Sequence, residues 1–271
     1  MRLPRLRVLL ILCALGFLAA GIFLIFFVAY LARALPPVVR IQDDLITEST
    51  KIFDRTGSVL LYEIHGEERR TVISADEIPD VVKRATIAIE DDGFYDHPAF
   101  DLKAIVRALA ANILRGRIAQ GGSTITQQLA KNAFLTPERS LTRKLKELIL
   151  AYRIERLYSK DEILTLYLNH IPYGKNSYGI EAASLTYFGK PARDLSLSEA
   201  ALLAALPKAP SYYSPWGSHR GELEERRIHV LKRLLALGFI DEAEFLYAVE
   251  HSPKVGEEPR TSSFALAPHF I

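Results

Sequence analysis

Cysteine is almost absent from this sequence, which contains Cys13 alone. An internal disulfide is therefore excluded, and no group of cysteine and histidine residues has the spacing of a metal site. A large charge of one sign is absent too, because the net charge of +2 at pH 7 is too small to predict nucleic-acid binding. What remains is a chain of 271 residues, enough for one large domain or two small ones.

Charged residues are missing from residues 8–32. A helix over this run would be about 37 Å long, enough to cross a hydrocarbon core of about 30 Å. Arginines flank the run on both sides, at Arg2, Arg5, Arg7, Arg33 and Arg40. We therefore expect a transmembrane helix, with residues 1–7 as a cytoplasmic tail and the remainder outside. The alternative is a cleaved signal peptide, whose apolar region would usually be about 7–15 residues.

The segment 33–75 is predicted to be a linker followed by a β-hairpin region. Pro36 and Pro37 end the apolar helix, because proline cannot continue it. β-Prone runs and the turn between them follow at 51–53, 54–57, 59–64 and 70–73, the last as a candidate third strand.

Residues 76–250 have the pattern of a mainly α-helical domain. Asp76 is the expected cap of its first helix, with Pro79 and Asp80 in the first turn. Further helices are predicted at 102–115, 124–133, 140–157, 160–168, 179–187, 196–205, 222–237 and 241–250. Two ends carry clear signals, a capping box at Ser196 and Glu199 and a terminator at Gly238. Residues 251–271 are expected to be a linker toward a further domain.

Acidic residues are concentrated where the first helix of this domain ends, at residues 90–97. Glu90 lies at the helix end beside buried surface, where a carboxylate suits a general base. Because burying all of these groups would be costly, the alternative is a solvated helix terminus and loop.

A glycine pair at 121–122 leads into a predicted helix with Thr124 and Gln127 spaced as a capping box. The N–H groups and dipole of such a helix start favour an anion, and Lys131 would add a full charge. The alternative is a capped helix with solvated polar side chains at Gln127, Gln128 and Asn132.

Basic residues dominate residues 103–160, with twelve against three acids. Such a stretch attracts a phosphate-bearing ligand or anionic headgroups. Within it, Arg143, Lys144 and Glu147 have helical spacing. The alternative for these three is a set of surface ion pairs worth a few tenths of a kcal/mol, roughly.

Together and in this order, these segments resemble glycosyltransferase family 51, the polymerase domain of class A penicillin-binding proteins and of monofunctional peptidoglycan glycosyltransferases. The matching segments are AIEDDGFYDHPAFD, GGSTITQQLAKN, RKLKE, ILTLYLNHIPYG, GIEAASLTYFGK and LSLSEAALLAALPKAPSYYSPW, within residues 51–237. The IPYG loop and the SEAALLAALPKAPS stretch look most like the penicillin-binding protein 1C branch. The resemblance implies a lysozyme-like, mostly α-helical domain with a membrane-dipping jaw.

The resemblance also implies an activity: polymerisation of lipid II into glycan strands by inverting transfer, with release of undecaprenyl pyrophosphate, outside the bacterial inner (cytoplasmic) membrane. It makes Glu90 the general base and Glu147 the second acid, a tentative ligand of a divalent cation (Mg or Mn). The substrate-binding residues that it implies are Asp91, Phe94, His97, Thr124, Gln127, Gln128, Lys131, Asn132, Arg143, Lys144, Tyr167 and Asn169. Its implied partners are lipid II, the growing glycan chain, the membrane and unidentified cell-wall synthesis proteins.

The sequence departs from the family pattern in the first motif. Ala99 stands where glycine is usual, and Asp92 is an acid where many relatives are basic. Two alternatives stay open, a lysozyme-like glycan-cleaving enzyme and a non-catalytic membrane scaffold. A transpeptidase of the penicillin-binding type needs a serine with a lysine three residues on, which no serine here has. Because the sequence stops on the apolar segment 264–271, we expect such a domain to follow residue 271.

Overall fold

The computed structural model describes residues 3–38, 50–53, 55, 60–64, 69–99, 122–136, 138 and 140–258. Most of these residues are helical, which confirms the prediction of a mainly α fold. The predicted helix at 102–115 lies outside the described residues, as does most of the predicted turn at 54–57. The lysozyme-like arrangement stays an expectation from the resemblance.

The helices are α1 (Leu3–Ala34), α2 (Asp80–Glu90), α3 (Ile125–Phe134), α4 (Leu141–Leu157), α5 (Lys160–His170), α6 (Ile180–Phe188), α7 (Leu197–Ala205), α8 (Arg220–Ala236) and α9 (Glu242–Glu250), with a 3₁₀ turn at Ala192–Asp194. The strands are β1 (Thr50–Phe53), β2 (Leu60–Ile64), β3 (Arg69–Arg70), β4 (Pro172–Gly174) and β5 (Ser177–Tyr178). From α3 to α9 the predicted helix bounds agree with these within about two residues, the usual uncertainty of helix ends.

The first helix is apolar and largely exposed. From Ile11 to Ala34 its mean hydropathy is 2.8, and Phe17 is 83% exposed. Length and composition therefore suit a membrane span. The helix is longer than the predicted 8–32, and it ends at Ala34, just before the proline pair, as predicted.

The first helix of the domain begins later than predicted. α2 starts at Asp80 with Pro79 as its N-cap, so the prediction of Asp76 as the cap is wrong. The physical reason lies just upstream, where Ser74 donates its backbone N–H (2.9 Å) and its hydroxyl (2.6 Å) to the Glu77 carboxylate. These bonds close a separate turn, and the fixed φ of Pro79 then leads into the helix.

The strands form two small sheets. β1 and β2 are the predicted antiparallel hairpin. The candidate third strand at 70–73 is wrong in its bounds, because β3 covers Arg69–Arg70 and runs parallel to β5, which also pairs with β4. The β4–β5 turn holds Lys175 (φ 50°) and Asn176 (φ 57°) in the left-handed region, and this hairpin was not predicted.

Two groups of helices share one apolar core. α7 packs on α2 and α8, while α3 packs on α4 and α5. Phe94, Leu129 and Tyr167 belong to this core and have no exposed surface. Because each large apolar side chain contributes roughly 1.5–3 kcal/mol on burial, the helices around the candidate site are held firmly.

The predicted helix ends at α7 and α8 are confirmed. Ser196 and Glu199 form both halves of a capping box at the start of α7. Gly238 follows α8 with a φ of +69°, a conformation that glycine adopts without steric cost.

Candidate active site

Glu90 ends α2 with its side chain only 13% exposed, which argues against a solvated terminus. Its Oε2 accepts a hydrogen bond from Nε2 of Gln128 at 2.7 Å. Its Oε1 is buried and has no hydrogen-bond partner among the described residues. One oxygen thus fixes the orientation of the carboxylate, and the other has hydrogen-bonding capacity that the described residues do not use.

Two cations near Glu90 were missed by the sequence analysis. Nη2 of Arg226, on α8, lies 3.9 Å from Oε1 of Glu90. Lys208 is close enough to interact with both: burial lowers its pKa, Arg226 lowers it further, and Glu90 opposes the shift. Lys208 falls within the SEAALLAALPKAPS stretch, so that signal was present. Arg226 sits in a highly charged helix sequence, which gave no such signal.

α3 lies between the two predicted catalytic acids. Gln128 reaches Glu90, as described above. Its neighbour Gln127 accepts a hydrogen bond from Nζ of Lys144 at 3.0 Å, and Lys144 also donates to Glu147. Since successive helix positions point about 100° apart, α3 reaches Glu90 directly through Gln128 and Glu147 indirectly through Gln127 and Lys144.

The same two faces of α3 continue toward its C-terminal end. Lys131 follows Gln127 by four residues, and Asn132 follows Gln128 by four, so each lies one turn further along the same face. Both are half-buried. Burial lowers the pKa of the Lys131 ammonium, and Glu147 opposes the shift most strongly. Lys131 and Asn132 therefore continue the two faces of α3 that Gln127 and Gln128 form.

Glu147 is surrounded by cations from its own helix. It is 3% exposed, with Nζ of Lys144 at 2.9 Å from Oε2 and Nε of Arg143 at 3.3 Å from Oε1. Lys131 adds a third positive charge within interaction range. A buried carboxylate does not fit the alternative of exposed surface ion pairs. One negative charge among three positive charges leaves a surplus that attracts an anion.

The predicted Mg or Mn site at Glu147 does not fit the described residues. Both carboxylate oxygens of Glu147 already face cations, Lys144 and Arg143. Within the described ranges no group of three or more His, Cys, Asp or Glu residues is placed to hold a metal ion. A divalent cation prefers several oxygen ligands and would here meet positive charge instead.

Asp91 occupies the helix start that was predicted to bind an anion. Its Oδ2 accepts the backbone N–H of Ile125 at 3.0 Å, and its Oδ1 lies 2.6 Å from Nε2 of His97. Nδ1 of His97 faces the Pro98 carbonyl at 2.7 Å. Burial opposes the charged imidazolium, but these two acceptors outweigh it and raise the pKa of His97. The first N–H of α3 is therefore occupied by a protein carboxylate and is not free for a ligand.

Thr124 caps α3 by a different arrangement from the predicted one. Its hydroxyl oxygen accepts the backbone N–H of Gln127 at 3.2 Å. The reciprocal bond of a capping box is replaced, because the Gln127 amide donates to the Ala99 carbonyl at 3.0 Å. The Thr124 hydroxyl donates to the same carbonyl at 3.0 Å. Both side chains are nearly fully buried, so they hold α3 against the first motif.

The two departures from the family pattern are accommodated. Ala99 does not require glycine here, because its φ is not positive. Its buried position supplies the carbonyl that anchors α3. Asp92 forms an ion pair with Arg233 of α8, so this acid ties the first motif to a neighbouring helix.

Three predicted substrate-binding residues make contacts within the fold. Phe94 is fully buried, with Nζ of Lys160 4.7 Å from its ring centre. Both amide atoms of Asn169 bond to the backbone of Ile73, at 3.1 and 2.9 Å. The buried Tyr167 lies behind the site, its hydroxyl 3.4 Å from Oε1 of Gln128. Their role in contacting substrate stays a prediction.

A large cavity lies away from these acids. It measures about 760 Å³ and is lined by residues that include Ser74, Asp161 and His170. Burial and, to a smaller extent, the neighbouring Arg70 lower the pKa of His170 to about 4. Glu90, with its unsatisfied oxygen, and Glu147, with the cations around it, are not among the residues that line this cavity.

Glu90 and the cations around Glu147 provide two complementary chemical functions. Glu90 offers a buried acceptor oxygen for a hydroxyl proton. Across α3, the cations Lys131, Arg143 and Lys144 can hold the negative charge of a departing phosphate group. The two functions together suit the transfer of a group from a phosphate leaving group to a hydroxyl.

Comparison with known proteins agrees with this chemistry. The sequence profile of a family described as Transglycosylase matches residues 57–235. Penicillin-binding protein 1A of Aquifex aeolicus (strain VF5) is 46% identical over 244 residues, covering 88% of this chain and 33% of that protein. Penicillin-binding protein 1A of Escherichia coli (strain K12) is 42% identical over 233 residues, covering 83% and 27%. The chain thus spans a third or less of these relatives.

Among solved structures, penicillin-binding protein 1A from Haemophilus influenzae aligns with a TM-score of 0.45 and 27% identity, over 78% of this chain and 21% of that one. The finer resemblance to the penicillin-binding protein 1C branch stays a prediction. The match of the profile over most of the domain, and the identities above 40%, establish the family. The chain belongs to the transglycosylase family, glycosyltransferase family 51.

Proposed function

We propose that this chain is a peptidoglycan glycosyltransferase, which polymerises lipid II into glycan strands and releases undecaprenyl pyrophosphate. The family membership supports this substrate class. The observation that carries the proposal is that α3 joins Glu90, whose buried Oε1 has no hydrogen-bond partner among the described residues, to the cation-rich surroundings of Glu147.

The reaction joins two sugars with inversion. Glu90 takes the proton of the acceptor 4-hydroxyl, whose oxygen attacks the anomeric carbon of the donor sugar. The bond from that carbon to the pyrophosphate breaks, and the electron pair leaves with the pyrophosphate. Lys131, Arg143 and Lys144 hold the resulting charge, as charge-assisted hydrogen bonds do for phosphate. Glu147 keeps Arg143 and Lys144 in position.

The apolar α1 serves as a single-pass anchor in this proposal. The arginines of residues 1–7 remain in the cytoplasm, and the catalytic domain lies on the periplasmic side of the inner membrane. An anchor suits an enzyme whose substrate cannot leave the bilayer. A cleaved signal peptide is the alternative, and the amino-terminal sequence of the mature protein distinguishes the two.

The test is polymer synthesis by the detergent-solubilised protein from lipid-linked disaccharide-pentapeptide. We expect the wild type to make polymer. Glu90→Gln keeps the hydrogen bond to Gln128 but cannot accept the proton, and it should lose at least about a hundredfold in rate. Glu225→Gln, which changes an exposed glutamate of α8, is the matched control and should retain full activity.

Two outcomes would contradict the proposal. Near-normal polymer from purified Glu90→Gln would remove Glu90 as the base. Release of short glycans from finished polymer, without synthesis from the lipid-linked donor, would favour the lysozyme-like hydrolase. The non-catalytic scaffold is tested by the same pair of assays, because it predicts neither product.

A further inference from the structure

The end of the membrane-length helix is attached to the domain by one arginine. Nη2 of Arg153, on α4, donates to the carbonyl of Ala32 at 2.7 Å, and Nη1 to the carbonyl of Pro36 at 3.5 Å. Just beyond the helix, Leu35 and Val38 are buried in the domain core. The anchor therefore continues into the domain through a packed contact.

The sequence explains why an arginine is needed at this point. In an α-helix the Ala32 carbonyl would accept the N–H of the residue four positions on. That residue is Pro36, which has no N–H. Without Arg153 the Ala32 carbonyl would be left without this partner near the membrane boundary, where an unsatisfied backbone group is costly. A cation at a helix C-terminus is also favoured by the helix dipole.

α4 connects this attachment to the cations of the site. It packs on α3 on one side and on the end of α1 on another. Lys144 and Arg153 are nine residues apart on this helix, so they are separated by about 13 Å along its axis and by about half a turn around it. A rigid helix thus carries Lys144 on one face and the anchor contact on the opposite face, with Arg143 on a side between them.

We propose that Arg153 is a positioning residue, which sets the height of Arg143 and Lys144 above the membrane surface. The inference rests on the proposed function, because a lipid-linked donor carries its pyrophosphate at a depth fixed by the bilayer. The cations must lie at that depth to meet the pyrophosphate. A donor that is free in solution makes no such demand.

The experiment compares two donors in reconstituted full-chain protein. One donor carries a long lipid and is embedded in vesicles, and the other carries a short lipid and is water-soluble. The polymerisation rate of Arg153→Ala should fall at least about tenfold on the embedded donor, the size expected for a lost charge-assisted hydrogen bond. Its rate on the soluble donor should stay unchanged. Arg153→Lys should recover part of the loss. Arg156→Ala removes an exposed arginine of α4 that contacts Tyr152 and is the matched control.

A second readout does not depend on activity. A fluorescent label at Leu141→Cys, an 88% exposed position at the start of α4, is prepared with Cys13→Ser. Quenching by nitroxide-labelled lipid headgroups reports the height of α4 above the membrane surface. Arg153→Ala should change the degree of quenching, whereas Arg156→Ala should leave it unchanged.

The outcomes separate cleanly. An equal loss of rate on both donors would show that Arg153 only stabilises the fold, and would overturn the inference. Unchanged rates together with unchanged quenching would overturn it as well. If the wild type uses neither donor, the proposed function fails, and the quenching result alone decides whether Arg153 positions α4.

Discussion

Replacing Asp91 by asparagine should separate support of the site from its chemistry. Asp91 joins His97 to the first N–H of α3, the helix that carries Gln128 and Lys131. Asparagine has the same shape but no charge. Its oxygen can keep one of the two hydrogen bonds, and its NH₂ group must face the other partner. If the NH₂ group faces His97, the imidazole must give up its proton at Nε2 in order to accept.

The size of the effect follows from burial. The side chains of Asp91 and His97 are 9% and 11% exposed, so water does not replace the lost bond. A hydrogen bond to a charged group contributes about 1.5–3 kcal/mol, and the helix dipole adds about 0.3–1 kcal/mol for a carboxylate at this end. We expect Asp91→Asn to lower the free energy of unfolding by about 2 kcal/mol or more on these grounds.

The loss should depend on pH in a definite direction. The pKa of His97 is raised in the folded protein, because its hydrogen bonds to Asp91 and Pro98 outweigh burial. A raised histidine pKa contributes stability that is fully present below the unfolded pKa, about 6.5, and is lost as the pH rises through the folded value. The difference in free energy of unfolding between wild type and Asp91→Asn should therefore be largest near pH 6 and become smaller at higher pH.

The assay is thermal unfolding of the detergent-solubilised chain, followed by the fluorescence of Trp216, the single tryptophan. A loss of about 2 kcal/mol corresponds to a fall of roughly 4–8 °C for a domain of this size. Asp96→Asn changes an exposed acid of the same segment and is the control. The reasoning is refuted if Asp91→Asn melts with Asp96→Asn at both acidic and alkaline pH.

Two further predictions concern the glycines at the two ends of α6 and the Arg143 cation of the site. Gly179→Ala should lower the free energy of unfolding by about 2 kcal/mol or more, because φ is +84° and a Cβ would lie 2.6 Å from the Asn169 carbonyl oxygen. Gly189→Ala has φ +68° but open space around the new Cβ, so it should lower the free energy of unfolding by only about 1–2 kcal/mol. The same melting assay compares the two variants. Arg143→Ala should reduce turnover of lipid II by about tenfold or more, and weaken a phosphoglycolipid inhibitor of the moenomycin type, with little change in melting temperature. Unchanged turnover and unchanged inhibitor affinity would show that Arg143 only forms an ion pair and does not bind the pyrophosphate.

The sequence predicted the helices well where local signals agree. Ser196 with Glu199 marks the start of α7 by short-range bonds alone, and Gly238 marks the end of α8. The start of α2 was missed because Asp76 and Pro79 are both acceptable starts, and the Ser74–Glu77 turn decided between them. The β4–β5 hairpin was missed because its Lys175-Asn176 turn lacks the glycine that usually announces such turns.

The candidate site was only partly predictable. The acids and cations of the motifs could be named from the sequence, but not which of them face the cleft. Phe94 and Asn169 share motifs with the site, but their burial and their bonds within the fold could not be predicted, because the direction of each side chain depends on segments distant in sequence. Arg226 shows the converse, since it approaches Glu90 from a helix that begins 130 residues later, at Arg220.

The two glutamates of the site show how position divides the work between identical side chains. Each oxygen of Glu147 faces a cation of its own helix, so the carboxylate forms ion pairs with Lys144 and Arg143. Glu90 receives one oriented hydrogen bond from Gln128, and its Oε1 is buried with no hydrogen-bond partner among the described residues. Oε1 of Glu147 also lacks a hydrogen bond there, but Nε of Arg143 lies 3.3 Å from it, whereas Nη2 of Arg226 lies 3.9 Å from Oε1 of Glu90. The tighter ion pairs of Glu147 support its proposed role of holding cations, and the looser pairing of Glu90 supports its proposed role as proton acceptor.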